Sequence, residues 1–395
     1  MICLMENEKS EYKDLTQHEL EALKNEFNLA DAHTHQSQSV SQRKIVESLP
    51  EIWYESERLM QHESDERFIK AFFTFHKQPK ALETPSMLVY ASSIAMVIAS
   101  NYFKKKDLSV ALISPCFDNL PDIMKHMQIP LEPLLEEWMH NPDELYDNLK
   151  NNVKSDVLFI VSPNNPTGWE LTGGVGTDFK KGFEELIRYA KDHNKILSFD
   201  FCFASAILHD ENTPTFDVYG LLEESGVSYV AYEDTGKTWP LQDAKAAILK
   251  CSKDIYPELY DIHTAYLLNV SPFILNVITE YINDSIKDGG DSIIGLLERN
   301  KEITKNYLDG EYFEMHEPKI PISVAWLKIK NPNIKATDLQ KKIYEKAKVY
   351  VLPGTYFFWD NPEKGERYIR LALARDTEIL EGAVKAIAEI IPDLK

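Results

Sequence analysis

Four cysteines in 395 residues leave no disulfide framework: Cys3, Cys116, Cys202 and Cys251 form no CxxC pair, and two of them lie in apolar, strand-like runs. Reduced thiols in a cytosol are the expectation. No run of 18 apolar residues occurs, and the apolar start MICLM turns to charge too soon for a signal-peptide core, so a soluble, cytoplasmic protein is expected. Basic residues are outnumbered, 43 against 63 acidic, for a net charge of −20. A field of that sign repels a nucleic-acid backbone or an anionic membrane and is compatible with a cationic small substrate. Internal repeats and low-complexity tracts are lacking too.

What is present is an alternation. Apolar runs MLVY (87–90), VALIS (110–114), VLFIVS (157–162), ILSFD (196–200), VSYVAY (227–232) and AAILK (246–250) are separated by helix-period stretches such as 94–105 and 179–193. Continuous apolar strands between amphipathic helices predict an α/β domain with a mostly parallel sheet covered on both faces. From about Asp291 the pattern changes to a long helix followed by mixed strands and helices, which predicts a smaller α+β domain. Near the start, Thr16 and Glu19 stand in capping-box spacing with Leu15 and Leu20 placed as a hydrophobic staple, and Leu20, Leu23 and Phe27 recur at helical spacing.

Ligands of an open parallel sheet bind beyond the carboxyl ends of its strands. VALIS runs into PCFDN, VLFIVS into PNNPTG, ILSF ends in Asp200, and VSYVAY runs into EDTGK. One crevice is therefore predicted to gather Phe117, Asn165, Asp200 and Lys237. A lysine amine condenses with an aldehyde, a buried carboxylate keeps a pyridine nitrogen protonated, an aromatic plate stacks on the ring, and an amide donates to a phenolic oxygen. The set points to pyridoxal phosphate (PLP). A P-loop reading of GKT fails, because Ala231 stands where its first glycine belongs, Glu233 and Asp234 would face phosphates, and Pro240 would fall inside the required helix. The Gly-rich LTGGVG (171–176) lacks dinucleotide spacing and reads as a loop.

The order Ser92-Ser93, Phe117, NNPTG (164–168), Asp200, TGKT (235–238) and IRLALA (369–374) resembles the fold type I PLP-dependent aminotransferases of class I and II, over about 280 residues. The resemblance implies a seven-stranded-type sheet and a homodimer. It implies that Lys237 forms the Schiff base, Asp200 pairs with the pyridinium, Asn165 meets the ring oxygen and Phe117 stacks. Ser92, Ser93 and Lys245 would hold the phosphate, and Arg370 would take the substrate carboxylate as a fork. The expected division is a lid helix (1–27), an amino-terminal part of the small domain (28–60), the large PLP domain (61–290) and the carboxy-terminal small domain (291–395).

Three positions depart from the family pattern: Phe203 where a tyrosine is frequent, Lys245 where arginine is usual, and Asp234 in a slot often held by serine. Together with LTQHE, FNLADAHTHQ, PCFDN, EDTGKTWP and NVSPFIL, they are similar to the PLP-dependent L-arginine oxidases and hydroxylases of guanidino natural-product pathways. That likeness implies dioxygen as co-substrate on a quinonoid, and a 2-oxo acid product, 4-hydroxy-2-ketoarginine or an unsaturated form. It implies substrate contacts from Thr16, Glu19, Asp31, Asp234, Asn165 and Arg370, and an acid/base role for His33 oriented by Asp31. A guanidinium needs carboxylates, which suits Asp234 and Glu19. Thr16 and Glu19 also read as plain capping residues, and His33 with His35 as a polar loop or a metal pair lacking further ligands at suitable spacing. Two other functions stand beside the oxidase: a conventional aminotransferase with a keto-acid acceptor, and a PLP-fold binding or regulatory protein.

Overall fold

The computed structural model describes residues 14–171, 180–209 and 216–394. Cys3 and the glycine-rich stretch from Thr172 onward lie outside them. The described chain opens with helix α1 (Leu15–Ala22) and the two-residue strand β1 (Phe27–Asn28). Strands β2 (Met87–Val89), β3 (Val110–Ser114), β4 (Leu131–Leu135), β5 (Val157–Val161), β6 (Ile196–Asp200), β7 (Tyr229–Asp234) and β8 (Ala247–Cys251) then form a seven-stranded sheet in the order β2-β8-β7-β6-β5-β3-β4. Only β8 runs antiparallel to its neighbours; the other pairings are parallel. Every residue of β3, β5, β7 and β8 is buried, as expected of strands covered on both faces.

Beyond the helix Asp291–Leu308, a second sheet is built from β9 (Phe313–His316), β10 (Val324–Ile329), β12 (Leu352–Pro353) and β13 (Tyr368–Ala372), all antiparallel. Strand β11 (Val349–Tyr350) pairs in parallel with β1, which fastens the amino-terminal segment to this smaller unit. The stretch 28–60 divides between the two units. β1 joins the small one, while helices Val40–Glu47 and Leu49–Arg58 lie on the helix Pro272–Asp288, through Ser41 Oγ to Asp284 at 2.8 Å, Asn276 Nδ2 to Ser56 Oγ at 2.9 Å, and Trp53 against Phe273.

The start of α1 corrects the capping-box reading. Asp14 is the N-cap, and its carboxylate accepts the Gln17 N–H at 2.7 Å. An aspartate both caps and answers the helix dipole, so it displaces Thr16 from that task and frees Glu19 from the backbone. The staple does not form either: Leu15 is buried, whereas Leu20 and Leu23 point to solvent. The inward face of α1 is Leu15, His18 and Ala22. Among the described residues no helix is long and apolar enough to cross a membrane.

Candidate active site

The carboxyl ends of β3, β5, β6 and β7 open into one cavity of about 750 Å³. Its wall includes Thr16, Glu19, His33, Ser92, Ser93, Phe117, Asn165, Asp200, Asp234, Lys237 and Lys245, residues brought together from widely separated parts of the sequence. Of the residues singled out in the sequence, Asp31 and Arg370 stand one layer behind, the first in contact with His33 and the second with Glu19. Phe203 and Cys202 also line the cavity.

Asp200 is the last residue of β6 and is buried. Its Oδ1 accepts the Cys202 N–H at 2.9 Å. Burial pushes its pKa up, with the Asp234 charge adding to the rise and Lys237 and the Cys202 hydrogen bonds opposing it. A carboxylate so placed favours a cationic partner. Asn165 Oδ1 is buried without any hydrogen-bond partner.

Lys237 and Lys245 ride on one loop whose neck is closed by Thr235. The Thr235 N–H donates to the Ala246 carbonyl at 3.1 Å, and the Ala246 N–H returns to Thr235 Oγ1 at 3.0 Å. Gly236 is packed so closely that an added Cβ would meet Asp234 Oδ1 at 2.9 Å and Lys245 Cδ at 3.1 Å. The helix Ser92–Lys105 points its start at the same place, with no acidic residue in its first turn and no side-chain cap. Asp234 bridges the two: Oδ2 accepts the Ser92 N–H at 3.1 Å, and Oδ1 accepts the Gly236 N–H. Both oxygens are thus held by backbone amides, which differs from the sequence-based expectation of an acid offered to substrate.

His33 faces the cavity from the loop after β1. Lys245 can only donate, so at 3.2 Å its ammonium fixes His33 Nε2 as acceptor and Nδ1–H as donor to Asp31 Oδ1 at 2.6 Å. The Lys237 charge and then burial lower the His33 pKa, while Asp31 works the other way. The second oxygen of Asp31 holds His35 Nε2 at 2.7 Å. Burial acts against the Asp31 charge, yet the hydrogen bonds from His33 and His35 outweigh it and hold its pKa far below the usual carboxylate range.

Sequence reasoning missed Arg375. It is buried and donates to the carbonyls of Asn28 at 2.7 Å, Asp31 at 2.5 Å and His33 at 2.9 Å. A charge closing the apolar run IRLALA was the available signal. Asp118, directly after Phe117, was missed too; its Oδ2 accepts the Leu15 N–H and so ties α1 to the cavity wall.

Arg370 lies on β13, opposite Trp326 and Leu352, and is wholly buried. Nη2 pairs with Glu19 Oε1 at 3.2 Å, and Nε and Nη1 have no partner. Burial raises the Glu19 pKa, against the pull of Arg370 and Lys237.

A family model, aminotransferase class I and II, matches residues 56–387. The chain belongs to that family. It is 24% identical over 268 residues to the LL-diaminopimelate aminotransferase of Maridesulfovibrio salexigens, a match covering 67% of this chain and 64% of that relative. The aspartate aminotransferase of Pyrococcus horikoshii is likewise 24% identical over 268 residues, covering 66% and 62%. The chain therefore spans just under two thirds of the length of these curated relatives. Among solved structures, MppP soaked with the product 2-ketoarginine superimposes with a TM-score of 0.79 at 30% identity, over 92% of this chain and 99% of that one.

PLP is the cofactor of class I and II aminotransferases, and the residues of this member fit it. Asn165 brings a buried side-chain amide to the wall, Asp200 a buried carboxylate that wants a cation, and Gly236 a tight turn tied through Asp234 to the start of the helix Ser92–Lys105. Lys237 and Lys245 add two amines to the same wall.

Proposed function

We propose that this family member oxidises L-arginine with dioxygen to a 2-oxo acid, 4-hydroxy-2-ketoarginine or its unsaturated counterpart, releasing the α-nitrogen as ammonia, reducing the dioxygen to hydrogen peroxide and taking the new oxygen atoms from water. The observation that carries the reading is the likeness to MppP with 2-ketoarginine, which runs through 92% of the chain at 30% identity. Bound PLP would supply an electron sink for the carbon next to the substrate nitrogen. Lys237 would hold it covalently, Asp200 would face its ring nitrogen, Asn165 its ring oxygen and Phe117 its face. Ser92, Ser93 and Lys245 would surround its phosphate.

The chain's own groups divide the remaining work. Arg370 seats the substrate carboxylate as a fork that takes in Nη2, the atom paired with Glu19, together with Nε or Nη1, which have no hydrogen-bond partner. Lys237 Nζ takes the proton from the α-carbon. His33, neutral at Nε2 and oriented by Asp31, directs water toward C4 of the substrate. Glu19 and Thr16 on α1 close over the cavity and exclude bulk water, with Glu19 as the acid for the guanidinium. Asp234, held by two amides, steadies the Lys237 loop against the helix start. The enzyme works as a cytoplasmic homodimer, as its class implies.

A conventional transamination is the second reading, favoured by the aminotransferases among its curated relatives. An oxygen electrode separates the two. Oxygen uptake with L-arginine and no keto acid, followed by mass spectrometry of a 2-oxo acid, is the expected result; turnover that requires a keto acid and consumes no oxygen would sink the oxidase.

A further inference from the structure

Arg370 presents an anomaly: a fully buried guanidinium whose carboxylate partner comes from the chain's own lid. Glu19 and Arg370 are 351 positions apart, and the pair stands at 3.2 Å with two further guanidinium donors idle. Idle buried donors are costly unless a ligand uses them. The other acids around the cavity are already engaged: Asp31 by two histidines, Asp234 by two amides, Asp200 by the Cys202 amide. Glu19 instead holds the cation that a substrate carboxylate needs.

We propose that Glu19 is a specificity gate that stands in for the substrate carboxylate on Arg370 and yields that place only to ligands bringing a cation of their own. The proposal rests on Arg370 as the carboxylate seat. The Glu19 side chain is only 14% exposed, so a ligand that takes over Arg370 leaves it as an unpaired acid in a poorly solvated site, which is destabilising. An amino acid with a guanidinium or ammonium on its side chain restores the pair at its other end. One with an apolar side chain does not. A single residue thereby tests both ends of the ligand, and the discrimination includes a repulsive element as well as an attractive one. The helix that carries Glu19 is fixed at its first residue by Asp118 and further along by His18 Nδ1, 3.0 Å from the Tyr350 hydroxyl, so the exchange is confined to the Glu19 side chain and its turn.

The test is calorimetric binding to the anaerobic holoenzyme with L-arginine and with L-norleucine, a straight-chain amino acid lacking the cation. Glu19→Gln removes the competing charge and keeps the shape; Glu19→Asp keeps the charge on a shorter arm; Arg370→Lys probes the seat. Both Glu19 variants should bind norleucine about tenfold or more tightly than the unaltered enzyme, the scale of one charge-assisted hydrogen bond. Glu19→Gln should bind arginine correspondingly less well. If Arg370→Lys weakens norleucine while neither Glu19 variant strengthens it, the gate is refuted and the carboxylate seat stands. If Arg370→Lys leaves both ligands unaffected, the seat itself is refuted, and the gate with it. Neither binding result bears on oxygen uptake, so the oxidase reading is judged separately.

Discussion

Arg375 holds His33 by its backbone: Nη1 donates to the His33 carbonyl oxygen at 2.9 Å, and the same guanidinium gathers the carbonyls of Asn28 and Asp31. The segment that carries the cavity histidine is therefore wound around a buried cation from the carboxy-terminal part of the chain. Arg375→Met leaves several buried carbonyls without donors, and a loss of about 3 kcal/mol or more is expected in urea unfolding. An unchanged midpoint would mean that water satisfies those carbonyls equally well.

Asp31 raises the His33 pKa against Lys237 and burial, which lower it. Asp31→Asn removes the raising charge, so His33 should titrate at still lower pH. Nuclear magnetic resonance of the ring protons reads this directly. Under the proposed oxidase chemistry, the hydroxylated share of the product should fall as the ring loses its orienting partner.

Arg370→Lys replaces a planar fork by a point charge. With Arg370 as the proposed carboxylate seat, the KM for arginine should rise by about 100-fold with a smaller change in kcat, since that contact would be made to the ground state and the transition state alike. A fall in kcat alone would place Arg370 in the chemistry instead.

Burial is the main reason that the Asp118 pKa is pushed up to about 7, with the Leu15 amide opposing and nearby acids assisting. A raised carboxyl pKa stabilises the fold below the ordinary carboxylate range, and that contribution is lost as pH rises through about 7. Asp118→Asn should therefore flatten the fall in melting temperature between about pH 4 and 7. A slope identical to that of the unaltered protein would contradict the assignment.

Lys237→Ala should abolish reductive labelling of the active-site peptide by borohydride and lower turnover by at least about 10³-fold. Peptide mapping checks the first, steady-state kinetics the second. Labelling that persists on Lys245 would shift the covalent role along the loop.

The large sheet and the gathering of Asn165, Asp200 and Lys237 were legible because buried parallel strands are written as unbroken apolar runs, and their ends are where polar residues converge. The family motifs then placed Ser92, Ser93, Phe117 and Lys245 on the same cavity. The amino-terminal helix was harder. Thr16 and Glu19 satisfy a local spacing rule, but Asp14 satisfies a stronger one two residues earlier, and a spacing rule cannot rank competitors. The duties of Asp31, Asp118 and Arg375 were illegible for another reason. Each depends on a partner or a segment fixed by tertiary packing: two histidines for one carboxylate, a helix start for the second, three carbonyls for the third.

The neck formed by Thr235 and Ala246 has a thermal corollary. Both feet of the Lys237 loop are anchored in adjacent central strands, so its two amines keep their spacing as long as the sheet survives. Helix α1, eight residues long, belongs to no sheet and is held by side-chain contacts such as Leu15 to Asp118 and His18 to Tyr350. On warming, selectivity should melt before cofactor retention does, leaving a coloured but indiscriminate enzyme over the last degrees before collapse.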